Sequence, residues 1–118
     1  MTEIGTRPWD SQYDIKNTTI IAETPDLRVL HITLAVGDEI PWHFHSHVTE
    51  NFTCAKGTLR VETRAPRGAH RLAPGERLTL PPKTAHRVLN GGDSDDDGDC
   101  CFVLVQGIGP YDFIPVGG

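Results

Sequence analysis

Glycine and proline set the limits on what this chain can become. Twelve Gly and nine Pro cut it into short runs, and few windows longer than about ten residues keep apolar side chains at helical spacing. The runs between them alternate or stay apolar over strand-like lengths, and turn pairs such as Pro25-Asp26, Gly37-Asp38, Lys56-Gly57 and Pro74-Gly75 bound them. The pattern predicts strands at 19–23, 27–36, 42–45, 51–55, 58–64, 69–72, 77–80, 86–89 and 100–106. Many short strands at near-regular spacing indicate an all-β sandwich or barrel, and periodicity is compatible with either.

A length of 118 residues and 13.0 kDa suits one compact domain. With 37% hydrophobic and 23% charged residues, neither a collagen-like nor a disordered chain is expected. Residues 1–18, carrying Pro8, Trp9 and Tyr13 among polar neighbours, read as an arm that must dock to be ordered. The single β domain is expected to span 19–118.

Charge narrows the partners. The chain holds 11 Lys+Arg and 16 Asp+Glu, but five of the acids (Asp93, Asp95, Asp96, Asp97 and Asp99) sit in one short run, and without them the charges balance. The surface is therefore not built to attract phosphate backbones, and nucleic acid is not expected as a partner. Apolar runs reach about six residues, far below the roughly 20 of a membrane helix, and the opening MTEIGTRPWD lacks a secretory layout. A cytoplasmic protein without membrane contact is expected. Three cysteines, two adjacent (Cys100 and Cys101), make a poor disulfide framework and suit free thiols. The acidic run copies the start of an EF-hand loop at Asp93-x-Asp95-x-Asp97-Gly98, yet the twelfth position falls on Leu104 and a strand follows. It reads as a solvated loop.

Three of the six histidines stand at His43, His45 and His47, alternating with Phe44 and Ser46. Residues two apart on a strand share a face, so imidazoles at His43 and His45 can converge on one ion. Glu50 follows across a tight turn, opening the next strand with Phe52 and Cys54 on its side. His86 lies far along the chain, after Pro81-Pro82-Lys83-Thr84. Two histidines at period two, a carboxylate and a distant histidine at strand starts are metal-ligand types. His31 and His70 have no partners in the sequence and read as structural or exposed. Cys54 is expected to face the interior in a packing role.

These residues carry a specific resemblance to the cupin superfamily. Its first motif, G-x5-H-x-H-x3,4-E-x6-G, reads as Gly37, His43, His45, Glu50 and Gly57; its second, G-x5-P-x-G-x2-H-x3-N, as Gly75, Pro81, His86 and Asn90. One position departs, since Lys83 stands where the second motif has its inner glycine. A left-handed conformation there would cost a non-glycine residue about 1 kcal/mol, and a different turn would still place His86.

The resemblance implies a small antiparallel β-barrel, a double-stranded β-helix of jelly-roll type, with His43, His45, Glu50 and His86 as ligands of one divalent transition metal ion: Fe, Mn, Ni or Zn. It implies turn roles for Gly37, Gly57 and Gly75, where positive φ suits glycine, and a structural role for Asn90. His47 fits the alternation but not the motif; it is expected beside the ligands or facing substrate ahead of serving as a fifth ligand, with a plain surface turn equally open.

Four protein ligands in an octahedral shell would leave two positions open. The expected function is thus a metal-dependent enzyme of dioxygenase, isomerase or lyase type, acting on a small oxygen-rich molecule. The alternatives are a non-catalytic module binding a sugar or organic acid, and a purely structural ion. Small single-barrel cupins commonly pair, so a homodimer is expected, with the arm or the 111–116 segment covering an edge or sealing the barrel.

Overall fold

The computed structural model describes residues 13–92 and 98–117. Among them are ten strands: β1 (Asn17–Thr24), β2 (Leu27–Leu34), β3 (Glu39–Phe44), β4 (Thr49–Lys56), β5 (Leu59–Arg64), β6 (Arg67–Leu72), β7 (Arg77–Leu80), β8 (His86–Asn90), β9 (Cys100–Gly107) and β10 (Ile114–Pro115). They form two five-stranded antiparallel sheets, ordered β1-β2-β9-β4-β7 and β10-β3-β8-β5-β6. The all-β expectation holds, and each of the nine anticipated strands is present.

The core lies between the sheets, and strict alternation builds it. On β2, Leu30, Ile32 and Leu34 point inward and are buried; on β9, Cys100, Phe102 and Leu104 do the same. Register turns these positions into rungs. Leu30 lies opposite Leu104, which lies opposite Phe52 on β4; one rung further, Ile32 meets Phe102 and Phe102 meets Cys54. Facing residues on one side of an antiparallel pair have Cβ atoms about 5 Å apart, so each rung packs as a unit. The last rung at one end is polar: Arg28, Gln106 and Glu50, all buried.

Strand β3 begins earlier than the alternation suggested. Ile40 and His43 both point inward although they are three positions apart, because the register against β8 shifts between them. Such a bulge reverses side-chain parity, and Pro41, which has no N–H for the ladder, is tolerated at it. The two-residue β10 pairs with β3 through Ile114–Phe44 and Pro115–His43 and carries no alternation by which to find it.

Turns follow the sequence closely. Gly37, Gly57 and Gly75 all have positive φ; at Gly57 a Cβ would also meet the Asp99 carbonyl at 2.8 Å, so only glycine fits. Lys83 keeps the glycine conformation, with φ 68, and its amide donates to the His45 carbonyl at 2.7 Å. The turn therefore does not change, and the lysine bears the left-handed strain instead. Asn90 ties three segments together: its Nδ2 donates to Leu34 O and Gly98 O, and its Oδ1 accepts from Gly92 N.

Of the expected arm, residues 1–12 with Pro8 and Trp9 lie outside the described residues, as do 93–97 of the acidic run. Asn17 and Thr18, the last two residues of the expected arm, belong to β1. Tyr13 packs against Phe113, ring centroids 5.6 Å apart. No helix among the described residues is long and apolar enough to cross a membrane.

Candidate metal centre

The polar rung of one sheet faces its counterpart on the other. His43 on β3 lies opposite His86 on β8, which lies opposite Thr63 on β5. Glu50, second in β4, comes from the facing sheet, and His45 follows one residue after β3 ends. One ligand atom from each of His43, His45, Glu50 and His86 lies within 4.8 Å of the others, and all four residues are buried. Glu50 Oε1 is 2.7 Å from His86 Nε2, and Glu50 Oε2 is 3.1 Å from His45 Nε2.

Each imidazole is oriented by a backbone carbonyl. His43 Nδ1 lies 2.6 Å from Pro41 O, His45 Nδ1 2.6 Å from Asp112 O, and His86 Nδ1 2.8 Å from Thr84 O. A carbonyl can only accept, so each Nδ1 is the donor and each neutral ring leaves Nε2 bare. This is the arrangement by which outer partners fix metal-ligating histidines. His45 Nε2, His86 Nε2 and Glu50 Oε1 are buried without hydrogen-bond partners among the described residues. Lone pairs this close repel unless a cation sits among them. Ligands at right angles around an ion with bonds of about 2.1 Å lie roughly 3 Å apart, so the two short separations fit one ion without rearrangement.

Electrostatics agree with that fit. Burial pushes His43 down to about 3, and the neighbouring His86 adds to the effect. Burial alone would raise Glu50, but His45 and His86 hold it well below the usual carboxylate range. His45 is lowered by burial and raised more by Glu50, for a net rise. A neutral His43 beside an ionised carboxylate is what a cation needs.

Aromatic side chains from the segment after β9 close this end. Phe113 stacks on His43 with centroids 4.3 Å apart and planes 14° from parallel, and Tyr111 lies 5.1 Å from His45. Burial keeps the Tyr111 hydroxyl protonated far above its usual range. The Asp112 carboxylate accepts from Ser46 N at 2.7 Å, pinning the segment to the His45 turn. The space beside the cluster is about 20 Å³, room for a single ion or water.

His47 is exposed and contributes nothing to the cluster. Alternation stops when β3 ends at Phe44, so the expected placement beside the ligands gives way to a surface turn. Cys54 is buried, its Sγ 3.5 Å from Gly57 O, and burial raises its thiol; it packs rather than reacts. His31 and His70 are half-buried on outward faces. Arg28 and Gln106 were not anticipated as site residues. Gln106 Nε2 donates to Glu50 Oε2 at 2.7 Å, and the Arg28 guanidinium lies 4.0 Å over the Tyr111 ring. The signal was present: on β2 and β9 each occupies an inward position in an otherwise apolar series.

A double-stranded β-helix with three histidines and one carboxylate gathered inside its end defines the class of metal-site β-barrels. The model of the cupin domain family matches residues 30–96, more than half of the chain, and the protein belongs to that family. No curated protein matches the sequence. Among solved structures, 92% of the chain aligns with 88% of a double-stranded β-helix protein from Klebsiella pneumoniae subsp. pneumoniae, at TM-score 0.72 and 21% identity. KdgF from Halomonas sp. aligns over 92% of its length with 85% of this chain, at TM-score 0.65 and 20% identity. Oxalate oxidase aligns with 77% of this chain at TM-score 0.67 and 20% identity. This chain spans about half the length of that enzyme, 46%. At such identities the likeness concerns the fold.

Proposed function

We propose that this cupin is a metal-dependent enzyme acting on a small oxygen-rich molecule by oxidation, isomerisation or cleavage. The observation that carries the reading is the buried cluster of four ligand side chains, with every imidazole Nδ1 engaged by a carbonyl and Nε2 left bare. His43, His45, Glu50 and His86 would hold one divalent transition ion. Such an ion supplies Lewis acidity and, if it is iron or manganese, one-electron chemistry. Gln106 steers the Glu50 carboxylate, and Phe113 with Tyr111 keeps bulk water from the cluster. An oxalate oxidase among the structural neighbours was solved in complex with glycolate, which supports a small organic acid as ligand. A homodimer is part of the same proposal, supported by Ile21, 56% exposed on edge strand β1.

One observation favours a second reading. The space beside the cluster, about 20 Å³, holds an ion but no organic molecule, which suits a structural ion that would clip the two sheets together. Elemental analysis followed by chelation separates the two. An enzyme keeps its fold after chelation and loses turnover; a clip loses tens of degrees in Tm with no turnover at any stage. His86→Ala with undiminished metal content would remove His86 from the ligand set.

A further inference from the structure

The cluster's own cavity has no room for an organic ligand, but an open pocket of about 500 Å³ adjoins it. Arg28, Gln106 and Tyr111 line both spaces and form the partition between them. Two of these side chains are unusual for their place. Arg28 is 4% exposed at the end of an inward series otherwise made of Leu30, Ile32 and Leu34. Its guanidinium is held in place, with Nε 3.4 Å from Glu23 Oε2 and the plane 4.0 Å over the Tyr111 ring, so a fixed positive charge stands at the border of the two spaces. Gln106 is 3% exposed; its Nε2 is spent on Glu50, while its Oε1 is buried with no hydrogen-bond partner among the described residues. An orphaned buried acceptor is unfavourable until a donor arrives.

The two sit opposite each other across β2 and β9, and Gln106 sits opposite Glu50 across β9 and β4. The rung thus runs from a fixed cation, past an acceptor that lacks a donor, to the ligand cluster. Neighbouring strands lie about 4.8 Å apart, so the whole rung spans roughly 10 Å, the reach of a small acid and an ion side by side.

We infer that the partition is the recognition edge for a small hydroxycarboxylate, whose carboxylate pairs with the Arg28 guanidinium and whose hydroxyl donates to Gln106 Oε1. Arginine suits this role because its planar fork matches a carboxylate in two parallel hydrogen bonds. A hydroxyl, unlike an ether or a bare methyl group, supplies the donor that Gln106 needs. The inference rests on the proposed function for the location of the site, but it concerns residues outside the ligand set.

Calorimetric titration of the purified protein, its metal content measured beforehand, tests it with three probes: glycolate, acetate and ethylene glycol. Glycolate should bind about tenfold tighter than acetate, the worth of one hydrogen bond to a buried acceptor, and ethylene glycol should not bind measurably. Arg28→Gln should weaken glycolate at least about tenfold with metal content unchanged, and Arg28→Lys, which keeps the charge but not the fork, should fall between. Gln106→Met should bring the glycolate and acetate affinities together. Thermal melts identify a variant that has merely unfolded, in which case the other two variants decide. Equal affinity for glycolate and acetate in the unaltered protein, or glycolate binding indifferent to both Arg28 variants, overturns the inference. Absence of any bound metal would count against the proposed function instead, and the dependence of glycolate binding on Arg28 would still decide this one.

Discussion

Acid should weaken the metal-free protein through His43, and the size of the effect follows from its burial. The folded protein holds this imidazole at about 3, whereas in the unfolded chain it titrates near 6.5. Below about pH 6.5 the unfolded chain therefore takes up a proton that the folded protein refuses, and stability falls with pH down to about 3, where it levels. At pH 5 the gap is about 1.5 pH units, worth about 2 kcal/mol at 1.36 kcal/mol per unit. His45, raised by Glu50, works in the opposite sense: its contribution is complete below its unfolded value and is lost as pH rises through the folded one. Glu50, held well below the usual range, is ionised at pH 5 and matters only in stronger acid. The perturbation is His43→Asn, whose Nδ2 can replace Nδ1 as donor to Pro41 O but cannot titrate. Urea unfolding in excess chelator at pH 7 and pH 5 is the assay. The unaltered protein should lose about 2 kcal/mol more than the variant between those values, or about 8 °C in Tm for a chain of this length. Equal losses in the two proteins would refute the reasoning, because His43 would then be no harder to protonate folded than unfolded.

Asn90→Ala should lower stability by about 3 kcal/mol, since three hydrogen bonds at roughly 1 kcal/mol each disappear and Leu34 O loses its side-chain donor; denaturant titration reads the change. Lys83→Gly should raise stability by about 0.5 to 1 kcal/mol, the left-handed strain removed less the extra freedom glycine gives the unfolded chain. Lys83→Ala should gain nothing, and a gain equal to glycine's would show that the backbone is not the cause.

Much of this site could be read along the chain because its members come from the ends of a few strands with fixed spacing. His43 and His45 bracket one residue, Glu50 is second in β4 and His86 opens β8, so motif spacing located all four members of the cluster. What escaped had physical reasons. The bulge at Pro41 reverses parity within β3, and no alternation rule carries across it. Phe113 and Tyr111 reach the cluster from a segment without regular pattern, where the notion of sealing was legible but the contacts were not. His47 continued the alternation on paper after the strand had ended in space. Arg28 and Gln106 were visible as isolated polar residues at inward positions, but they gain meaning only when β9 is placed between β2 and β4, which is long-range information.

The ladder arrangement also bears on how such a barrel acquires new chemistry. Leucine, isoleucine and phenylalanine rungs hold the two walls together from below, while the terminal rung touches them on one side only. Exchanging its side chains alters what the mouth recognises and leaves the packing underneath in place, so reactivity can diversify on this scaffold at little risk to folding. The same separation makes the end of the barrel the natural place to install a designed activity.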